Sequence, residues 1–255
     1  MPTEAEIQAE NDRAIQAWQN RPRRRVASPS PRKPNTSWYF NHADLIERQL
    51  QEDGHRTWGF VIYRTTYGND EDWAEFLKRL RFRMEEAFDF FNGRDILELF
   101  TLTVIEDREH LDGASTAAIR ERFRQWCMTA PQSEQQQGDA GSEIGPGLSP
   151  RYRYAIQVDI ASLYSVVYDA PAPPDPDPTK QGWVKLIGAS WQPISSERIR
   201  DSFEPIEGVT EKDVGWIKVP YQNVMDEYYV RCRDLNRWVT SYRRPPAVMG
   251  YPSDG

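Results

Sequence analysis

Arg64 closes the apolar run TWGFVIYR, and by the strand period of two it shares a face with Phe60 and Ile62. A guanidinium rooted in an apolar wall is costly to bury unless a carboxylate meets it or it reaches the sheet's end. The next strand closes on Glu106 and Asp107, and two strands running the same way bring those carboxylates out beside Arg64, near Asp70 and Asp72. His110 follows in the loop EDREHLDG, where surrounding carboxylates would raise its proton affinity and suit it to acid–base work. The catalytic candidates are therefore Arg64, holding an anionic group, and Glu106, Asp107 or His110, moving a proton. Arg64, Tyr63, Tyr67 and Trp183 are the candidate ligand contacts, the tyrosines and Thr66 supplying hydroxyls. The plain alternatives are a structural ion pair at a strand terminus, a solvated loop histidine and core packing for Trp183.

Other chemistries lack their residues. His42, His55 and His110 are the only histidines, and none lies four residues from another, so no helix presents a histidine pair to a metal. There is no G-x-S-x-G elbow and no G-x-x-x-x-G-K-[ST] loop. The acidic trio Asp70-Glu71-Asp72 suits a helix N-terminus better than a metal. Cys127 and Cys232 match no zinc spacing and read as free thiols. No cofactor and no metal are expected.

The elements that would position these residues follow from periodicity. A strand over residues 58–67, apolar on both faces, breaks at Gly68-Asn69 and feeds a helix whose inward stripe is Trp73, Phe76, Leu77, Leu80 and Met84. A second strand covers 99–105. A helix capped by Ser115 buries Ile119, Phe123 and Trp126, and a third strand covers 151–159. A short helix at 160–168, a strand at 182–191, an ambiguous stretch at 209–219 and a helix over 224–242 complete the order. Short helix 37–51 precedes it all. Set aside the second long helix as an insertion and two βαβ units remain. That order predicts an α+β fold, a ferredoxin-like split βαβ sandwich with an inserted helix and a C-terminal helix. The competitor is an α/β doubly wound sheet.

Residues 1–37 read as a disordered arm, basic and Pro-rich at RPRRRVASPSPRKP, with Ser28 and Ser30 each preceding a proline. Residues 38–246 read as a single α+β domain with mobile loops at 131–150 and 170–181, and 247–255 as a tail. The net charge of −7 argues against nucleic acid as a partner of the folded part. The 9 Trp, 12 Tyr and 10 Phe offset a modest 38% hydrophobic content and can hold a core. No stretch approaches the ~20 apolar residues of a membrane span, and the N-terminus has no apolar signal region. A cytoplasmic protein is expected, with the nucleus as the alternative.

The phrases WGFVIYRTTYGNDEDW, TVIEDREHLDGAS with RERFRQW, RYRYAIQVD and PIEGVTEKDVGWIKV resemble a large group of uncharacterised filamentous-fungal proteins. The resemblance spans most of residues 57–246 and implies a soluble intracellular fungal protein; it carries no catalytic residues with it. The leading expectation is a ligand- or protein-binding domain whose partner is a small molecule or a protein. The rival is a cofactor-free acid–base enzyme, of isomerase or cyclase type, in fungal secondary metabolism.

Overall fold

A computed structural model of the chain describes residues 28–136, 144–193 and 203–250. Five strands form one mixed sheet: β1 (Val61–Arg64), β2 (Thr103–Ile105), β3 (Tyr154–Val158), β4 (Trp183–Gly188) and β5 (Trp216–Pro220). Their order is β2-β1-β3-β4-β5. β1 runs parallel to both β2 and β3, while β4 runs antiparallel to β3 and β5. With helices packed on this open sheet, the chain has the expected α+β fold. In a split βαβ unit a third strand stands between the two parallel ones; here β1 and β2 pair directly. The ambiguous stretch 209–219 supplies the fifth strand.

The helices are α1 (His42–Asp53), α2 (Asp70–Phe90), α3 (Thr116–Cys127), α4 (Ala130–Gln135), α5 (Ile160–Tyr164) and α6 (Leu235–Ser241), with single turns between them. Alternation along the strands sorts the core into two layers. Phe60, Ile62, Ile156, Val158, Val184, Leu186, Ile217 and Val219 meet the Trp73, Phe76, Leu80, Met84 and Phe88 stripe of α2 on the first face. Val61, Tyr63, Ala155, Ile187 and Trp216 meet Ile119 and Phe123 of α3 on the second. Thus α2 crosses from β1 to β2 on one face and α3 leads from β2 to β3 on the other. The helix that follows β3 returns to the first face, where Leu163 joins the same layer as α2.

Caps start these helices where the polar residues allow. Asn69 accepts from the amides of Glu71 (2.9 Å) and Asp72 (3.4 Å), and the acidic trio fills the first turn of α2. Gly59 must be glycine: its φ is +111°, and a Cβ there would lie 2.5 Å from the Phe100 ring.

Several boundaries differ from the periodicity. The expected helix over 224–242 is broken into a π-helical turn Val224–Tyr228, the turn Tyr229–Arg231 and α6, because Asp234 turns extended and caps a new start at Asn236 N (2.9 Å). The expected mobile loop 131–150 begins instead as α4. Glu134 there meets Arg151, which is fully buried, at 2.7 Å, and Gln135 accepts from the amides of Arg56 (2.8 Å) and Thr57 (3.1 Å). A buried guanidinium demands such a partner, and hydropathy does not reveal it. Residues 137–143 lie outside the described residues. The expected mobile loop 170–181 is tied to α2 by Arg83, which donates to the carbonyls of Pro174 (3.2 Å) and Asp175. The expected arm also folds earlier than residue 38: Arg32 meets Asp44 and Glu47, each at 2.6 Å, and Asp95, while Ser30 is buried. Residues 1–27 and 251–255 lie outside the described residues.

Candidate functional site

The parallel strands bring Arg64, Tyr67, Glu106, Asp107 and His110 to one end of the sheet. Their arrangement there is a closed one. Arg64 Nη2 meets Asp70, Nη1 meets Glu106 at 3.2 Å, and Nε donates to the Thr66 carbonyl at 2.9 Å. The rings of Tyr67 and Trp73 lie 4.5 and 5.0 Å from the guanidinium carbon, and the residue is only 6% exposed. All three nitrogens of the group are thus engaged, and with so little exposure it offers a guest anion little access. Tyr67 accepts from Asp107 N at 2.8 Å, and Asp107 holds His110 Nδ1 at 2.9 Å on the surface. The His110 hydrogen bond keeps the Asp107 carboxyl below the ordinary aspartate range. These residues form an ion-paired cap on the strand ends.

The other two ligand candidates lie elsewhere. Tyr63 points to the second face, edge-on to Phe123 at 6.4 Å, with its hydroxyl buried and unpaired. Trp183 starts β4 on that second face, beneath the Lys218 ammonium. Arg64 stands on the first face, so neither joins it.

Concavity appears instead toward the C-terminal half of α2. Arg83 lies thirteen residues beyond Asp70, about 20 Å along the helix axis. A cleft of about 510 Å³ opens there, lined by His42, Arg83, Glu86, Phe90, Phe91, Pro174, Pro176, Asp226 and Glu227 among others. That volume suits a small organic ligand. Three elements build it. Asn41 caps α1, accepting from Ala43 N (3.0 Å) and Asp44 N (3.2 Å), and so sets His42 on the first turn. The last turns of α2 supply Glu86, Phe90 and Phe91. The π-helical turn Val224–Tyr228 supplies the two acids; its wider coil buries five consecutive residues, Asp226 and Glu227 included.

His42 Nδ1 lies 3.1 Å from Asp226 Oδ2, and the imidazole rests on Phe91 with ring centroids 4.5 Å apart. A carboxylate only accepts, so Nδ1 carries a proton here, and among the described residues Nε2 has no hydrogen-bond partner. Burial pushes the Glu227 carboxyl above the ordinary glutamate range; Arg231, at 2.6 Å, opposes that shift and the neighbouring Asp226 charge adds to it. Phe90 is 66% exposed at this cleft, with the Lys33 ammonium 3.7 Å above its ring centre. The arrangement can make polar contacts beside an aromatic wall, with an imidazole near a carboxyl of raised proton affinity. Among the described residues, no three of His, Cys, Asp or Glu converge as a metal site.

Sequence reasoning passed over this cleft. The segment VMDEYY carries two adjacent acids between apolar neighbours, and a period of 3.6 assigns such acids to solvent. Only a widened turn buries them together. Acids inside an otherwise apolar stretch were the available signal.

A scan against protein-family models and searches of curated proteins and solved structures return no match to this chain. Among the described residues, no helix is long and apolar enough to cross a membrane.

Proposed function

We propose that this α+β protein binds a small organic molecule in the cleft between α1, α2 and the 224–228 turn, using neither metal nor nucleotide. The observation that carries this reading is the His42–Asp226 pair, which leaves Nε2 without a partner among the described residues, beside a space of ligand size. Phe90 and Phe91 would hold an apolar portion of the guest, and Nε2 and Glu227 would take its polar group.

A thermal-shift screen against metabolite pools tests it, with wild type beside His42→Ala and Phe90→Ser. Phe90 is exposed, so that variant keeps the fold. A ligand that raises the melting temperature of the wild type and of neither variant supports the cleft. A library yielding only compounds that stabilise all three proteins alike counts against it.

The second reading is cofactor-free acid–base chemistry in the same cleft, favoured by the Asp226-held imidazole beside a carboxyl of raised proton affinity. Binding and catalysis separate in deuterated water. An enzyme exchanges deuterium into the bound compound with wild type and not with His42→Gln, whereas a binding protein leaves the compound unlabelled with both.

A further inference from the structure

On the second sheet face, β4 and β5 place two lysines directly opposite each other: Lys185 pairs in register with Lys218. Like charges opposed across strands destabilise a sheet. The two are treated unequally. Lys185 is buried and doubly compensated, 2.9 Å from Asp159 and 3.3 Å from Glu207. Lys218 has no carboxylate within ion-pairing distance among the described residues. Its ammonium lies 3.6 Å above the Trp183 ring, as that of Lys185 lies 4.5 Å above Trp216. The pairs are diagonal, each lysine over the indole of the opposite strand.

This corner lies on the side of the sheet where β1, β2, β3 and β5 all end and β4 begins. Asp159 follows β3 directly and reaches Lys185 on the neighbouring strand. A half-buried lysine beside a second cation is the arrangement that frees an amine for covalent work. Burial lowers the Lys218 pKa; the Lys185 charge lowers it further, and Asp159 restores part of the loss.

We propose that Lys218 is an imine-forming lysine for a carbonyl compound, an aldehyde or ketone, seated on Trp183 at the strand ends. The neutral Nζ adds to the carbonyl carbon, making the C–N bond while the oxygen takes a proton. The carbinolamine then loses that oxygen as water, leaving a protonated imine; solvent carries the protons, with Asp159 the carboxylate whose field acts on the amine. No oxidant or reductant is consumed. The iminium keeps the positive charge that the indole already faces, so Trp183 stabilises it by the same cation–π attraction. This site is separate from the His42 cleft, and neither proposal depends on the other.

The test is reductive trapping on the full chain. Wild type is incubated at neutral pH with acetaldehyde, then in parallel with pyruvate, each with cyanoborohydride, and peptides are mapped by mass spectrometry. Alkylation at Lys218 should exceed that at the exposed Lys78 by about tenfold. Lys218→Arg should remove that adduct with circular dichroism unchanged. Lys185→Met, which removes the neighbouring charge, should slow labelling of Lys218. Pyruvate outrunning acetaldehyde would place an anion-holding group beside the amine, and the reverse order would mark a neutral carbonyl. Labelling spread evenly over the lysines overturns the proposal, as does a rate at Lys218 below that of Lys78.

Discussion

Arg64 and Glu227 are both buried ionisable groups, and their surroundings give them opposite behaviour. The partners of Arg64 are solvated: Asp70 is 87% and Glu106 46% exposed in their side chains. Truncating Arg64 therefore strands no buried carboxylate. Arg64→Ala should cost about 2 kcal/mol, from the lost Thr66 hydrogen bond and ring packing, read by urea denaturation. A cost above about 4 kcal/mol would mean that the carboxylates depend on it as in a fully desolvated pair. Glu227 carries a carboxyl whose charge its burial opposes. Its folded pKa is raised, so its contribution is complete below the ordinary glutamate value of 4.5 and is lost as pH rises through the raised value. Glu227→Gln stays neutral throughout. The melting temperature of that variant, relative to wild type, should climb as pH goes from 4 to 7; a flat difference would show that the carboxyl titrates normally.

Elements here are set by their ends as much as by their apolar stripes. Asn41 is fully buried, caps α1 and donates to Ser30 Oγ (3.2 Å) and the Phe91 carbonyl (3.0 Å). One side chain thus joins the 28–37 segment, α1 and the end of α2 just where His42 enters the cleft. Asn41→Ala should cost about 2 kcal/mol, the upper end for a cap, because its partners are left unsatisfied in the interior. It should also weaken any cleft ligand, measured by calorimetry. The Ser115 cap of α3 holds only Ala118 N, at 3.3 Å. Ser115→Ala should cost about 1 kcal/mol and leave that affinity unchanged. Equal effects of the two substitutions on binding would separate the cleft from the start of α1. The stripes of α2 and α3 were legible in sequence because each runs through several turns. The 224–228 turn was not, since its burial depends on a local widening that no periodicity announces.

The molecule as a whole is a sheet with unequal covers. The first face carries α2 and several shorter pieces, whereas the second is covered by α3, through Ile119 and Phe123, with Leu111 and Val214 beside it. Phe123 is fully buried and stacks on Trp126 at 5.8 Å. Phe123→Ala should cost about 3–5 kcal/mol, the price of a large cavity in a thin layer. Far- and near-ultraviolet dichroism should still report one shared transition; two separated transitions would show that α3 unfolds as its own unit. What the sequence determined alone was the alternation of strands and helices, the inward faces and the gathering of Arg64, Glu106, Asp107 and His110 at one end. Those follow from residue spacing within single elements and from parallel strands sharing an end. What the tertiary structure decided was that Arg64 is closed off by Asp70, Glu106 and two rings, that Asp226 reaches His42 across the chain, and that Lys218 faces Lys185. Each is a meeting of residues far apart in sequence, fixed by strand register and turn width, and local pattern carries no record of either.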